Sequence, residues 1–302
     1  MAKILTVLRG SVGLDNKTDP LRIAYDPEKG IGFLSIAYNV NISNSLRVSR
    51  VKGYTKRRSE AVTSFYADGD RAFYVSLDKL YELKEDYSRI TLRTGLTLNA
   101  RMSFVEVFGK YYYTNGYENG VIENEGSWTW VKGDYVGATT DKSFSNPPIG
   151  HLLECYKGRL YIAKDNVLYP SERRDYGRFQ LKLGTPFPDK IRMLKAVDDG
   201  LYVGTSKCVY SLRGNTFKEF NIQKVIIDTV VKGSDVIMNG QYLQGGSLFQ
   251  GKVIIWTGYK GIYAGGSNGK VVNLTYEHLR YPKAEEGAGI IIDDRYVCLL
   301  FS

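Results

Sequence analysis

The 302-residue sequence contains few of the residues from which catalytic and metal sites are usually built, with only three cysteines and two histidines. The cysteines lie in apolar, strand-like segments and form no CxxC pair or cysteine–histidine spacing, which excludes the common zinc motifs. Neither histidine belongs to a paired-histidine motif. We therefore predict a non-enzymatic protein with no catalytic residue, no cofactor and no metal. The residues concerned are Cys155, Cys208, Cys298, His151 and His278.

Long apolar runs are also missing from the chain. No stretch of about 18 apolar residues, the length that a transmembrane helix needs, occurs anywhere. The short apolar run that follows Met1 is too brief for a signal peptide and lacks a small-residue cleavage site. Unpaired cysteines within apolar segments fit a reducing compartment. We therefore expect the protein to fold in the cytoplasm of the cell that makes it, without membrane insertion.

Tyrosine and glycine are abundant instead, with 24 and 32 residues, whereas there are eight prolines. This composition is typical of β-strands joined by tight turns. Six turns are each followed by an apolar strand centred on tyrosine, and these tyrosines are 38, 49, 41, 61 and 33 residues apart. A loose repeat of about 40 residues predicts the blades of a β-propeller. The six tyrosines are Tyr74, Tyr112, Tyr161, Tyr202, Tyr263 and Tyr296.

Turn residues divide most of the chain into predicted strands. The pattern predicts four complete four-strand units and a fifth unit of three strands, with an inserted segment at about 225–250 before the fifth. Asn268–Gly269, within the fifth unit, is the strongest hairpin signal in the chain. The five units span residues 61–93, 102–131, 151–181, 192–220 and 252–274.

Each end of this array leaves a predicted pair of strands, within 33–51 and within 288–301. A two-stranded sheet is marginally stable by itself. Joining the two pairs would make one complete blade from both termini and would remove the open edges of a linear array. We therefore predict an all-β chain in which residues 31–302 form a single six-bladed propeller, with one blade closed by strands from both termini.

Residues 1–30 lack the alternation that follows, and glycine, Asp15–Asn16, Asp19–Pro20 and Asp26–Pro27 interrupt them closely. A frayed terminus would be polar, but this segment is apolar. We predict an extended assembly arm that packs on a neighbouring subunit. Its predicted contacts are Ile4, Leu5, Val7, Leu8, Val12 and Leu14.

The net charge of +9 favours polyanionic partners such as nucleic acid. Six cations lie within 12 residues that contain no acidic residue, and Tyr54 lies among them. Such a run can neutralise several phosphates, although an exposed loop with no partner is the competing interpretation. The predicted contacts to an anionic partner are Arg47, Arg50, Lys52, Lys56, Arg57 and Arg58.

Five short motifs resemble those of a family of tailed-bacteriophage virion structural proteins. They are residues 8–22 (LRGSVGLDNKTDPLR), 48–54 (VSRVKGY), 113–118 (YTNGYE), 147–152 (PPIGHL) and 158–163 (GRLYIA). The resemblance implies a virion component of the tail or the head-to-tail junction, and it implies no catalytic residue.

Together with the propeller pattern, the resemblance leads us to expect a subunit of a homo-oligomeric ring, either a tail hub or nozzle or a head-to-tail connector. We expect it to contact other tail and portal-proximal proteins and to lie close to DNA. It would be made in the host bacterial cytoplasm and located in the virion. A propeller of a tail appendage that binds host-surface glycans is the alternative. A glycan hydrolase is the least favoured reading, since the paired acids lie at turns rather than in a cleft.

Overall fold

A computed structural model describes residues 9–43, 45–53, 55–69, 71–133, 144–243, 249–280 and 282–301. Those residues form β-strands, connecting loops and single 3-10 turns. The 3-10 turns are Pro20–Arg22, Leu181–Leu183, Phe217–Glu219, Gly240–Tyr242 and Ser267–Gly269. A search of the same residues finds no helix with the length and apolarity to cross a bilayer.

The N-terminal part of the chain forms two small sheets. Its strands are β1 (Gly10–Leu14), β2 (Tyr25–Asp26), β3 (Ile31–Leu34), β4 (Val40–Ile42) and β5 (Val48–Arg50). Strand β3 lies between β1 and β2, and it runs parallel to β1. Strands β4 and β5 form a separate antiparallel pair.

Five antiparallel sheets, each with four strands in sequential order, follow within the described residues. Sheet 1 has β6 (Ser64–Asp68), β7 (Arg71–Ser76), β8 (Lys79–Leu83) and β9 (Arg89–Arg93). Sheet 2 has β10 (Ser103–Val107), β11 (Lys110–Thr114), β12 (Asn119–Glu123) and β13 (Gly126–Trp128). Sheet 3 has β14 (Leu152–Tyr156), β15 (Arg159–Lys164), β16 (Val167–Glu172) and β17 (Asp175–Phe179), and β18 (Thr185–Pro186) also pairs with β16.

The last two four-stranded sheets and a final pair complete the order. Sheet 4 has β19 (Ile191–Val197), β20 (Gly200–Thr205), β21 (Val209–Arg213) and β22 (Asn221–Ile226). Sheet 5 has β23 (Val236–Asn239), β24 (Lys252–Thr257), β25 (Ile262–Gly265) and β26 (Val271–Asn273). Sheet 6 is the pair β27 (Glu286–Ile292) and β28 (Arg295–Phe301).

Two-residue turns with left-handed backbone set the register of several hairpins. Both turn residues have positive φ at Phe108–Gly109 (53° and 77°) and at Asp293–Asp294 (49° and 59°). This geometry matches the twist of antiparallel strands, and it favours Gly, Asn and Asp. The predicted Asn268–Gly269 turn is confirmed, with φ values of 63° and 68°.

Hydrophobic side chains fill the space between each sheet and the next. One cluster joins each successive pair of sheets, from sheets 1 and 2 to sheets 5 and 6. The repeated tyrosines contribute to this core: Tyr161 and Tyr202 are buried at the centres of β15 and β20. The Tyr202 hydroxyl donates to the Gly266 carbonyl at 2.7 Å and so ties sheet 4 to sheet 5. The near-continuous apolar runs of strands such as β15 and β20 therefore encode sheets that are covered on both faces.

The interpretation of residues 225–250 as an insert is wrong. Asn221–Ile226 is the fourth strand of sheet 4, and Val236–Asn239 is the first strand of sheet 5. Tyr263 consequently lies on the third strand of its sheet, and Trp256 occupies the second. The sequence pattern assigned these strands wrongly because β23 is only four residues long and carries few turn signals.

The two ends of the array also differ from the prediction. Strands β4–β5 and β27–β28 form two separate two-stranded sheets instead of one shared four-stranded blade. The physical reason is that Phe33 and Leu34, predicted to begin the first pair, belong to β3 and pair with β1 instead. The count of six blades stays a prediction.

Packing between sheets can be tested with one buried and one exposed leucine. Leu168 is 0% exposed between sheets 3 and 4, whereas Leu98 is 61% exposed. Leu168→Ala should lower the free energy of unfolding by about 2–5 kcal/mol because it leaves a cavity. Leu98→Ala should change it by less than about 0.5 kcal/mol. Chemical denaturation measures both, and equal effects would contradict the described core.

Candidate functional site

A cavity of about 680 Å³ lies where the first strands of successive sheets converge. The starts of β6, β10, β14 and β19 line one part of its wall. Another part is lined by Lys232, Gly233, Asp235, Glu285, Glu286 and Gly289. Its position follows from the fold because the first strands of sheets 1 to 4 meet there. The volume is within the usual range of ligand pockets.

Short polar side chains link the first strands around this cavity. Ser64 Oγ accepts a hydrogen bond from the Met102 N–H at 2.7 Å. Ser103 Oγ likewise accepts from the Leu153 N–H at 3.0 Å. His151 Nε2 lies 2.7 Å from the Ile191 carbonyl, and burial lowers the pKa of His151. The neutral imidazole can donate to that carbonyl, so His151 joins sheets 3 and 4.

Arg101 reaches from the start of sheet 2 to the last part of the chain. Its guanidinium donates to the carbonyls of Gly287 at 2.7 Å, Gly233 at 3.2 Å and Lys232 at 3.4 Å. Gly233 has φ +80°, and a Cβ there would collide with the guanidinium. The contact therefore connects sheet 2 to the segments that begin sheets 5 and 6.

Most charges on the far wall of the cavity are paired. Arg192 lies 2.8 Å from Glu285, and Lys232 lies 3.0 Å from Glu286. The hydrogen bond that Glu285 accepts from the Tyr259 hydroxyl, together with Arg192, lowers the pKa of Glu285. Glu285 is therefore ionised at neutral pH and is occupied by neighbouring donors.

Two aromatic side chains are exposed at the cavity, Phe65 of β6 and Tyr117 in the turn between β11 and β12. The amide-bearing residues Asn99 and Asn115 line the same cavity. No spacing rule in the sequence brings these residues together, since they come from three separate loops and strands.

The predicted basic run is spread along β5 and the segment after it. Arg47, Arg50, Lys52, Lys56 and Arg57 are exposed. Arg58 differs, because it is half-buried, pairs with Glu60 at 3.3 Å and donates to the Tyr87 carbonyl. Arg57 also lies over the Tyr87 ring at 5.2 Å. The run therefore divides into exposed cations and one that holds structure, and Tyr54 lies outside the described residues.

The predicted arm residues divide in the same way. Ile4, Leu5, Val7 and Leu8 lie outside the described residues, whereas Val12 is exposed and Leu14 is half-buried on β1. Residues 9–30 differ from an extended arm because they fold back into β1 and β2 beside β3.

Asp15 fastens this small sheet to the C-terminal part of the same chain. Its Oδ1 accepts from the N–H groups of Lys17 at 3.1 Å and Thr18 at 2.9 Å, and its Oδ2 lies 3.2 Å from His278 Nδ1. Asn16 adds hydrogen bonds to the backbone of His278 and Arg280. Led by the backbone hydrogen bond from Thr18, these contacts lower the pKa of Asp15 to about 2.

Sheet 6 carries an exposed apolar face that the sequence reading missed. One face of the hairpin packs on sheet 5 through Ile291 and Tyr296. The other face exposes Ile290 (47%), Leu299 (63%) and Phe301 (55%). The signal was present in the sequence, since both alternating positions of β27 and β28 are apolar, which is unusual for a strand with one solvated face.

No family model and no curated protein matches this chain, whereas solved structures do. A streptogramin B lyase structure matches with a TM-score of 0.51 at 11% identity, over 82% of this chain and 78% of that one. The WD40 domain of Neurospora crassa Pan2 matches with a TM-score of 0.45 at 12% identity, over 74% and 66%. The extracellular domain of a one-component system from B. thetaiotaomicron matches with a TM-score of 0.47 at 14% identity, over 73% of this chain and 28% of that one.

At such low identity, the likeness to the lyase structure shows the fold alone. The predicted fold class is confirmed: the chain is an all-β protein with a β-propeller fold. The chain spans only 28% of the length of the bacterial extracellular domain that it matches.

Arg101 offers a direct test of the contact across the cavity. Arg101→Ala removes three hydrogen bonds from a charged donor and should lower the free energy of unfolding by about 1.5–3 kcal/mol. Lys164→Ala, which removes an exposed cation at the same cavity, is the matched control and should have little effect. Urea denaturation measures both variants, and a neutral Arg101→Ala would show that the contact adds no stability.

The stability that Asp15 adds by docking β1 should depend on pH. Asp15 has a pKa of about 2 in the folded chain and 3.8 when unperturbed, so its stabilising effect is complete above about pH 3.8 and is lost as the pH falls toward 2. Asp15→Asn should be less stable than wild type at pH 7, and the difference should shrink below about pH 4.

Urea unfolding from pH 7 to pH 3 measures this dependence. Asp19→Asn, which removes a carboxylate from an exposed turn of the same segment, controls for net charge. A constant difference between Asp15→Asn and wild type across the pH range would contradict the assigned role.

Proposed function

We propose that this protein is a non-enzymatic structural component of a bacteriophage virion, a ring subunit of a tail hub or nozzle or of the head-to-tail connector. The observation that carries the proposal is sheet 6, which within the described residues has two strands, an exposed apolar face and an unpaired edge on β28. Such surfaces are usually covered by a partner. The five motifs that resemble tailed-bacteriophage virion proteins supply the biological setting.

The proposed ring requires that this apolar surface bind a different patch of the next subunit. A contact between two different patches of identical subunits repeats head to tail, and it closes into a ring when the rotation allows. The described residues of the first phage-like motif, 9–22, take part in a contact between the two end regions of the described chain. They form β1 and, through Asp15 and Asn16, the link to residues 276–280 at the joint between the chain ends.

The exposed cations of β5 and the following segment suit a position close to packaged DNA. Arg47, Arg50 and Lys52 are exposed, and none of the described hydrogen bonds or ion pairs of their side chains neutralises them with an acidic residue. Neutralising phosphates releases counterions, so such a surface binds without sequence preference and in a salt-dependent way.

Glycan binding by a tail appendage is the second candidate. The exposed rings of Phe65 and Tyr117 at the cavity, with Asn99 nearby, favour it because sugars stack on aromatic rings and bond to amides. Saturable binding of host polysaccharide at this cavity would support it over the ring. For hydrolysis, two carboxylates must face one bond, whereas Asp198 and Asp199 accept from backbone N–H groups of sheet 5 and its turn.

Native mass spectrometry of the full chain tests the ring directly. We expect a closed oligomer with one fixed subunit number, and quantitative proteomics of purified virions should find the protein in a matching copy number. A monomer at every concentration, or absence from purified particles, would contradict the proposal.

Charge reversal tests the basic surface. Replacing Arg47, Arg50 and Lys52 with Glu should weaken DNA binding most at low salt, since exposed charges are screened over about 8–10 Å at physiological ionic strength. The control variant replaces three exposed lysines in another part of the chain, Lys164, Lys182 and Lys190, with Glu. It changes the net charge by the same amount. Binding to a DNA duplex across a salt series measures the effect. Equal losses in both triple variants would show a net-charge effect rather than a specific surface.

A further inference from the structure

We propose that sheet 6 of each subunit is completed by the N-terminal segment, residues 1–8, of a second copy of this chain, which adds as a strand along the edge of β28. This inference rests on the proposed ring function and specifies the contact that closes it. The acceptor is the surface formed by β28 and the exposed face of sheet 6.

The edge of β28 is long and open. β28 has seven residues and pairs with β27 on one side, and no other described strand pairs with it on the other side. Its outward N–H and C=O groups therefore form a row that an extended segment can satisfy. A partner that binds here adds a strand, because backbone hydrogen bonds supply affinity for any extended chain.

The exposed face beside this edge requires an apolar partner. Ile290, Val297, Leu299 and Phe301 lie on the face of the hairpin opposite sheet 5. The register places Ile290 opposite Val297, so these side chains form one continuous strip. An added strand with large apolar side chains would extend that strip.

The nearest strands of the same chain are held elsewhere. The loop between β4 and β5 is tied to β1, because the Ser11 N–H donates to the Leu46 carbonyl at 2.8 Å. A hydrogen bond from the Arg295 guanidinium to the Asn41 side chain connects this hairpin to the start of β28. Among the described residues, no strand other than β27 pairs with β28 beyond Arg295.

The N-terminal segment has the composition that this site needs. Ile4, Leu5, Val7 and Leu8 supply apolar side chains of high strand propensity, and no proline interrupts residues 1–9. Its length matches β28, since seven paired residues span about 23 Å. Charge also matches: Lys3 and Arg9 flank the apolar residues, and the exposed Asp293 and Asp294 form the turn at one end of β28.

The donor is a second copy because donor and acceptor are different surfaces. When each subunit gives its N-terminal segment to the next, the contact repeats head to tail and forms a closed ring. The same contact within one chain would satisfy each subunit alone and would give no assembly.

Disulfide trapping between two differently tagged chains tests the contact. All chains carry Cys298→Ser. Donor chains carry a single new cysteine at one of positions 4 to 8, and acceptor chains carry Leu299→Cys. Donor and acceptor are coexpressed, so a mixed disulfide reports contact between chains. Phe108→Cys, which is 80% exposed on the β10–β11 turn, is the matched acceptor control.

We expect mixed disulfides with Leu299→Cys at alternate donor positions, because successive side chains of a strand point to opposite faces. The yield should exceed that with Phe108→Cys. Leu299→Lys should weaken oligomerisation about tenfold or more, as expected for the loss of a buried leucine, without changing the melting temperature. Phe108→Lys should leave assembly unchanged.

Three results would overturn the inference. In a further variant that carries both new cysteines in one chain, a disulfide that forms only within that chain would place the contact in cis. An intact wild-type oligomer with no mixed disulfide at any donor position, and with Leu299→Lys fully assembled, would leave the ring function standing and remove this acceptor. A wild-type chain that is monomeric throughout would remove the proposed function as well.

Discussion

Each sheet between the ends of this chain is apolar on both faces, and that single constraint governs the rest of the structure. A sheet with two apolar faces is stable only when another sheet covers each of them. Five hydrophobic clusters meet this need from sheet 1 to sheet 6, and among the described residues no comparable cluster joins sheet 6 back to sheet 1. The joint is instead polar, through Arg101 and Asp15, which explains why the unsatisfied surfaces collect there.

The sequence predicted the repeating part of the fold well and the joint poorly, for a physical reason. Strands such as β8 (Lys79–Leu83), β11 (Lys110–Thr114) and β28 (Arg295–Phe301) were predicted from alternation and turns because neighbours in sequence are also neighbours in space. The parallel pairing of β1 with β3 carries no local signal, and β23 is too short to give one. The pairing of strands that are distant in sequence depends on which other strands are available, and the local sequence pattern does not indicate this.

The candidate site was less accessible to sequence reasoning. The basic run was visible as composition, yet the role of Arg58 depends on Glu60 and on the distant Tyr87 carbonyl. The contact of Arg101 depends on carbonyls 131 to 186 residues away and on a glycine that leaves room for the guanidinium. Every residue type has a backbone carbonyl, so no sequence motif indicates which carbonyls Arg101 contacts.

The sequential order of the sheets also sets the order in which they can fold during synthesis. Sheets 1 to 5 are each built from one contiguous stretch, so each can form and stack on its predecessor as the ribosome releases it. Contacts at the joint span far more of the chain, with 186 residues between Arg101 and Gly287 and 263 between Asp15 and His278. A nascent chain therefore carries an open stack of sheets until its last few dozen residues emerge, and translation itself decides when the two ends can meet.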